Sequence, residues 1–350
     1  MKLVRGAFDR AGFLRSAGIG AGGLSLAQLL GPAGALGAGG GGDFPQHPRW
    51  RFVFVSHNTL EPLFVATQFG AQDAAALVRC SVEWTGSPRG DVQETTKALR
   101  HAIAGKADGI AVSVVDGRAF EEQAGAARRA RIPLVAFNVD TLPGGSRLAY
   151  VGEDPRVSGA RVGAEIARLL PRGNVTLLAP ETPESWTERR LEGVIAGLAR
   201  APRAPAATVV RLKGEVRRQV EALETALQAR HRIRGLFAVD GTATTAAGIL
   251  IKQRGLRAKG FHGGGYDLLP DDLELVADGF LDFVVDQQPY VQGFAPVIQL
   301  FLTKISEGTV VPWDTETSVL LRKQDVKTFL ATKSRFEGSS SRHEYPLHRV

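Results

Sequence analysis

Arg51-Phe-Val-Phe-Val-Ser56 is a run of strand-forming apolar residues that ends in a polar one. Helical periodicity fills most of the segments between this run and the similar ones that follow it. Strands this apolar, without alternation, are buried on both faces, so the pattern predicts parallel sheets flanked by helices. The later runs are Gly109-Ile-Ala-Val-Ser113, Pro133-Leu-Val-Ala-Phe-Asn138, Asn174-Val-Thr-Leu-Leu-Ala179, Gly235-Leu-Phe-Ala-Val-Asp240 and Leu281-Asp-Phe-Val-Val-Asp286.

The order of these elements predicts two α/β units in series. Strands and helices alternate over about 51–138, and a second such series begins near Tyr150. Two units of this kind predict two lobes with a cleft between them. In open parallel sheets ligands bind at the carboxyl ends of the strands, so the polar residues that close the runs become the candidates for a binding site.

Composition narrows the class of protein. The chain has 350 residues, 44% of them apolar and 23% charged, which is ordinary for a globular protein of about two domains. Its net charge is 43 − 36 = +7, and residues 1–42 contribute +3 of it. The remaining charge is too weak and dispersed to predict a nucleic-acid partner. The one cysteine, Cys80, excludes an intrachain disulfide and is expected to be a buried thiol.

The N-terminus has the layout of an export signal over residues 1–42. Basic residues at 2, 5, 10 and 15 precede an uncharged stretch rich in Gly, Ala and Leu. Asp9-Arg-Ala-Gly-Phe-Leu-Arg15 resembles a twin-arginine motif with Ala11 in place of the second arginine, so the export route stays open. A low-complexity tail is the alternative. Gly18-Ile-Gly-Ala-Gly-Gly23 has dinucleotide-loop spacing but no strand before it, so no nucleotide site is predicted.

The strand ends and the loops after them supply planar hydrogen-bonding groups and aromatic rings. Asp and Asn can each contact two neighbouring hydroxyls, and an aromatic face suits the C–H side of a sugar ring. This mixture favours a neutral polyol or sugar over an anion. The residues predicted to bind it are His57, Asn58, Glu61, Phe64, Asn138, Asp140, Trp186, Glu188, Asp240, Asp267 and Gln287.

Signals for metals, cofactors and catalysis are weak. His57 and His262 stand alone, without a His or Cys at ligand spacing, so no metal site is predicted. The sequence has neither a nucleophile elbow nor a phosphate-binding P-loop motif, and no cofactor is expected. Asp140, Asp240 and Asp267 could supply a glycosidase pair, but nothing in their spacing selects two of them. The chain is therefore read as a binding protein and not as an enzyme.

Over about 50–331 the chain resembles the type I periplasmic sugar-binding proteins of bacterial ABC importers, closest to their ribose, simple-sugar and inositol branch. The most specific match is Val285-Asp-Gln-Gln-Pro-Tyr-Val-Gln-Gly293, which is similar to the family's hinge segment. Supporting matches are Val55-Ser-His-Asn-Thr-Leu-Glu-Pro-Leu-Phe64, Ile132-Pro-Leu-Val-Ala-Phe-Asn-Val-Asp140 and Gly265-Tyr-Asp-Leu-Leu-Pro270.

The resemblance implies two Rossmann-like lobes joined by a three-strand hinge, with crossovers near 150–153, 286–290 and 310–314. The first lobe would comprise 50–150 plus 289–311 and the second 152–287 plus 313–331. Residues 332–350 would form a flexible tail.

The binding positions of the family match this chain in part. Asp240, Asp267 and Gln287 stand where the family supplies an Asn, an Asp and the hinge Gln. Glu61, Leu63 and Phe64 stand where it supplies an Asn and two aromatics. Asn138-Val139 replaces an Asp-Arg pair, and Trp186-Thr-Glu188 replaces a further arginine. The missing arginines and the added acids also admit an amino-bearing ligand.

The resemblance implies a monomeric solute-binding protein in the periplasm or cell envelope that binds a sugar or polyol, closes by a hinge and docks on a membrane permease. Two alternatives use similar folds: a sugar-processing α/β enzyme, and a ligand-binding domain of a sensor or repressor. A repressor would need a helix-turn-helix before the body, and residues 1–50 are glycine-rich without such a pattern.

Overall fold

The computed structural model describes residues 45–61, 63–142, 144–229 and 232–332. The predicted export signal and residues 333–350 of the predicted tail lie outside these ranges. Two six-stranded sheets organise the chain. The first has the order β11-β5-β4-β3-β1-β2 and is parallel throughout. Its strands are β1 (Arg51–Ser56), β2 (Ser81–Gly86), β3 (Gly109–Val112), β4 (Leu134–Phe137), β5 (Ala149–Gly152) and β11 (Thr315–Glu316).

The second sheet repeats this order as β12-β10-β9-β8-β6-β7. It is parallel except for β12, which runs antiparallel to β10. In both sheets the first strand in sequence lies between the third and the second, so the strand order reverses there. Its strands are β6 (Asn174–Pro180), β7 (Ala206–Leu212), β8 (Ile233–Ala238), β9 (His262–Tyr266), β10 (Phe283–Asp286) and β12 (Val319–Arg322).

Helices cover both faces of each sheet. Those of the first lobe are α1 (Leu63–Leu77), α2 (Val92–Ala104), α3 (Gly117–Arg129) and α9 (Pro289–Ile305). Those of the second lobe are α4 (Pro155–Leu169), α5 (Ser185–Arg200), α6 (Val216–Ala229), α7 (Gly241–Gln253), α8 (Pro270–Ala277) and α10 (Lys323–Thr332), with a short 3₁₀ turn at Leu256–Lys259. None of the helices in the described ranges combines the length and the apolarity needed to span a bilayer.

Strand β1 shows why the apolar runs lack alternation. Phe52 and Phe54 pack against α1 and α9 on one face of the sheet. Val53 and Val55 pack against α2 and α3 on the other. All four side chains are buried, and burying each stabilises the fold by about 1.5–3 kcal/mol. The prediction of parallel sheets buried on both faces is therefore confirmed.

The chain passes between the sheets three times. It leaves the first sheet after β5, returns from β10 to α9 through Gln287 and Gln288, and passes from β11 to β12 through Thr317 and Ser318. We propose that the first two passages are the crossovers predicted near 150–153 and 286–290. We propose that the third lies at 317–318 and not at 310–314, because Thr315–Glu316 still pairs with β5 in the first sheet.

Candidate functional site

The carboxyl ends of the parallel strands from both sheets border one cleft, with a cavity volume of about 1260 Å³. It opens at the two positions where the strand order reverses, which is where ligands bind in open α/β sheets. Ten of the eleven predicted binding residues line it. They are His57, Asn58, Glu61, Phe64, Asn138, Asp140, Trp186, Asp240, Asp267 and Gln287.

Glu188 is the exception, because it does not line the cleft in this structure. Its carboxylate pairs with Arg211 of β7, at 2.8 and 3.0 Å, on the outer side of the second lobe. Helix geometry explains the difference. Two residues along a helix turn the side chain by about 200°, so Glu188 points away from the face that carries Trp186 and Arg190.

The loop after β1 supplies the first wall of the cleft. His57 Nδ1 lies 2.7 Å from the Ser113 hydroxyl. Burial lowers the pKa of His57 to about 4, so its imidazole is neutral at neutral pH. Asn58 donates from Nδ2 to Glu61 at 3.4 Å. Burial, and to a smaller degree the nearby carboxylate of Asp267, raises the pKa of Glu61.

Phe64 contributes to the cleft differently from the prediction. It belongs to the first-lobe core, its ring is 0% exposed, and it meets the ring of His57 edge-on at 5.5 Å. Phe64 therefore packs against the ring of His57 and offers no exposed face to a ligand in this conformation.

Asn138 and Asp267 occupy equivalent positions in the two lobes. Asn138 directly follows β4 and Asp267 directly follows β9, and their φ angles are +61° and +72°. Each backbone N–H donates to the neighbouring strand, to Val151 at 3.0 Å and to Val285 at 2.9 Å. Asn and Asp tolerate this left-handed conformation better than other side chains. The fold thus places one short polar side chain on each side of the cleft.

Two further predicted residues of the second lobe lie beside Asp267. Asp240 caps α7 by accepting from the N–H of Ala243 at 3.0 Å, and burial raises its pKa. The Gln287 side chain donates to Asp267 Oδ1 at 2.5 Å. Gln287 is the hinge residue expected from the sequence, so the hinge and the second-lobe wall are joined by a hydrogen bond.

A buried ion pair that the sequence analysis missed lies behind Trp186. Arg190 and Glu153 are each 3% exposed, and Arg190 Nε donates to Glu153 Oε1 at 2.9 Å. The guanidinium also donates to the carbonyl of Val239 at 2.9 Å. It lies 4.0 Å from the ring centroid of Tyr266 and 4.9 Å from that of Trp186. Trp186 therefore has a fixed cation behind its ring.

Arginine enters the cleft from positions other than those the family pattern predicts. Arg147 pairs with Asp140 and with Asp314, the latter at 2.8 Å. Asp140 is thus occupied by a protein cation, and Arg147 is not free to clamp an anion. A basic residue soon after the fourth strand was the available signal, but its partner Asp314 is 167 residues away. The arginines that line the cleft are Arg89, Arg147, Arg156, Arg161, Arg189 and Arg190.

Carboxylates outnumber these arginines. Ten acidic residues line the cleft against six arginines. Within the described ranges no group of three or more His, Cys, Asp or Glu side chains has the arrangement of a metal site. In the arrangement seen here, Asp140 and Glu153 pair with arginines, and Asp240 and Asp267 accept hydrogen bonds.

Comparison with known proteins gives concordant results. A family model described as periplasmic binding protein domain matches residues 52–301. The xylose/arabinose-binding protein XylF of Sulfolobus acidocaldarius is 35% identical over 321 residues, covering 87% of this chain and 78% of that protein.

Two solved structures share the fold. The sugar-binding protein of a sugar ABC transporter from Bacillus halodurans has a TM-score of 0.73 at 20% identity, covering 80% of this chain and 99% of that one. An ABC transporter solute-binding protein from Burkholderia graminis, in complex with D-arabinose, has a TM-score of 0.69 at 22% identity, covering 81% and 99%.

Proposed function

The chain belongs to the periplasmic binding protein family, and we propose that it is the sugar-binding component of an ABC importer. One observation carries the proposal: planar hydrogen-bonding side chains from both lobes, Asn138 from the first and Asp267 and Gln287 from the second, line one cleft. A hydroxylated guest between them would satisfy groups on both walls. The relative with 35% identity is named for xylose and arabinose, and this supports an aldopentose as the ligand.

Charges of the cleft that are paired within the protein support a neutral ligand. The Asp140 carboxylate is paired with Arg147, and the Glu153 carboxylate is paired with Arg190. The imidazole of His57 is neutral because burial lowers its pKa to about 4. The carboxylates of Asp240 and Asp267 remain as acceptors for hydroxyl groups, and each can accept from two neighbouring hydroxyls.

Binding would act by hinge closure, a movement that periplasmic binding proteins use around their ligands. The cavity of about 1260 Å³ exceeds the ~300–1,000 Å³ of typical small-molecule pockets, so the lobes have room to approach each other around a monosaccharide. A ligand that touches both walls binds the closed state better and shifts the equilibrium toward it. We further propose that the monomeric protein acts in the periplasm or cell envelope, after export directed by residues 1–42, and that the closed form docks on a membrane permease.

Titration calorimetry on the purified protein tests this function. The panel comprises D-xylose, L-arabinose, D-ribose, D-glucose, myo-inositol and D-glucosamine. We expect saturable binding of at least one pentose, unchanged sugar after binding, and no turnover. Binding of D-glucosamine alone would show that the ligand bears an amino group and is not a neutral sugar. The absence of heat with every sugar would refute the proposal, and turnover would favour the enzyme alternative.

The variants D267N and D278N form a matched pair for the same assay. Asn keeps the left-handed backbone and the acceptor for Gln287, so D267N removes the charge and replaces one acceptor oxygen by an NH₂ donor. We expect it to weaken sugar binding at least ten-fold. Asp278 lies outside the cleft, and its side chain is 54% exposed beside Lys252. D278N should bind like the wild type, and equal affinity of both variants would argue against Asp267 as a ligand contact.

A further inference from the structure

We propose that Gln292 is a positioning residue that links the sugar-binding residues of the two lobes through the hinge. The inference takes its ligand from the proposed function, whereas the hydrogen bonds that support it are those of the structure itself. Gln292 lies on α9, is 0% exposed and does not line the cleft. It therefore acts through other residues and does not touch the sugar itself.

The side-chain amide of Gln292 uses its hydrogen-bonding capacity on three partners. Its Oε1 accepts from Asn138 Nδ2 at 3.1 Å. Its Nε2 donates to the carbonyl of Gln287 at 2.8 Å and to the Thr317 hydroxyl at 3.3 Å. Asn138 belongs to the first-lobe wall of the cleft, Gln287 to the second passage between the lobes, and Thr317 to the third. One buried amide thus joins a binding residue to two strands of the hinge.

The orientation of this amide is fixed by its surroundings. The Thr317 hydroxyl donates to the carbonyl of Gln287 at 2.7 Å, so its hydrogen is already used. A flipped Gln292 would present its oxygen to two acceptors and its NH₂ group to the NH₂ group of Asn138. A buried polar group left without a partner costs about 1–3 kcal/mol, so the flipped arrangement is disfavoured.

The connection continues into the second lobe. The side chain of Gln287 donates to Asp267 Oδ1 at 2.5 Å. A continuous path therefore runs from Asn138 through Gln292 and Gln287 to Asp267. Both ends of the path are left-handed residues that line the cleft, one from each lobe, at φ +61° and +72°. A change in the angle between the lobes must either preserve this path or break buried hydrogen bonds.

Gln299 provides a matched control on the same helix, two turns after Gln292. It is 1% exposed, and its Nε2 donates to the carbonyl of Trp313 at 2.9 Å and to the Thr315 hydroxyl at 3.3 Å. Gln299 thus holds the chain before the third passage through two similar bonds, but it bonds to neither Asn138 nor Gln287. Replacing either glutamine by Met removes a buried amide from α9 at nearly constant volume, and only Q292M interrupts the path.

The experiment compares wild type, Q292M and Q299M in two assays. Calorimetry with D-xylose and L-arabinose measures affinity. Spin labels on E122C in α3 and A222C in α6, both exposed positions, measure the distribution of distances between the ligand-free lobes. The native Cys80 is buried and so less accessible to the label. We expect both Met variants to melt several degrees lower. Only Q292M should bind sugar at least ten-fold more weakly and broaden the distance distribution.

Equal affinities and equal distance distributions for Q292M and Q299M would overturn the inference. Failure of the wild type to bind any sugar would refute the proposed function instead, and the distance assay would then decide the inference by itself. Should Q292M not fold, T317V takes its place, because it removes the hydroxyl that bonds to both Gln292 and Gln287 and so no longer fixes the orientation of the Gln292 amide. A T317V protein with wild-type affinity and an unbroadened distribution would also count against the linkage.

Discussion

At the scale of single residues, Asp286 carries an unusual titration. It closes β10 at the hinge, is 4% exposed, and accepts from the backbone N–H of Gln288 at 2.7 Å. Burial, and to a smaller degree the charge of Asp267, raises its pKa from 3.8 to about 6. An acid whose pKa is higher in the folded state stabilises the fold below its unfolded pKa, and this contribution is lost as the pH rises through about 6.

The stability of the variant D286N relative to wild type should therefore increase as the pH rises. Asn keeps an acceptor for Gln288 and never ionises. A difference of one unit between the folded and unfolded pKa corresponds to about 1.4 kcal/mol of stability. At pH 7.5 we therefore expect the free energy of unfolding of D286N to exceed that of wild type by on the order of 3 kcal/mol. The difference should shrink to nearly zero at pH 4. Urea unfolding at both pH values measures it, and a difference independent of pH would contradict the assigned titration.

At the scale of elements, α4 and α5 pack closely through glycines. A Cβ on Gly163 would lie 2.2 Å from the carbonyl oxygen of Val194, and the backbone of α5 cannot yield as a side chain can. G163A should lower the free energy of unfolding by about 1–3 kcal/mol or more, as overpacking does.

G125A on α3 is the control, because its Cβ would meet only the end of Arg129 at 3.3 Å. There Ala should stabilise the helix by about 0.5–1 kcal/mol. Equal losses in urea unfolding would contradict the packing argument.

Elements dominated by local patterns were predictable from the sequence, whereas contacts set by packing were not. The apolar runs predicted the central strands of both sheets because burial on both faces leaves a local pattern. The eight-residue helix α8 was missed, since it is too short to show two turns of periodicity, although Pro270 and the acids of its first turn are start signals. The proposed place of the third passage, at 317–318, could not be predicted because the short strands β11 and β12 beside it lack a pattern of their own.

The candidate site was predictable to a similar extent. Strand-end residues could be assigned because the carboxyl ends of parallel strands meet at one edge. The place of Glu188 outside the cleft lining could not be predicted, because sequence position alone does not fix the face of a helix. The partnership of Glu153 with Arg190 joins the end of β5 to α5, and no spacing rule connects positions that far apart in different elements. The burial of Phe64 follows from the packing of α1 against β1, which no single stretch encodes.

At the scale of the whole molecule, the two lobes have separate cores. The side chains of β1 pack with α1, α2, α3 and α9, and those of β6 pack with α4, α5, α6 and α7. Polar bonds such as those of Gln292 and the Glu153–Arg190 pair connect the hinge to both lobes. Each lobe is therefore stabilised by its own core. A ligand that contacts both lobes adds its binding free energy, which is lost when either lobe unfolds.

A bound sugar should thus protect both lobes together. At one hundred times its dissociation constant, a ligand adds about 2.7 kcal/mol to the free energy of unfolding. Native-state hydrogen exchange with and without saturating D-xylose or L-arabinose measures the effect at the amides of Val53 and Val55 in β1 and of Leu236 and Phe237 in β8. Because the proposed contacts come from both walls, we expect slower exchange in both strands, together with a smaller radius of gyration in solution scattering. Protection confined to one lobe would mean that the sugar binds one wall only, and the closure mechanism would then fail while sugar binding itself would stand.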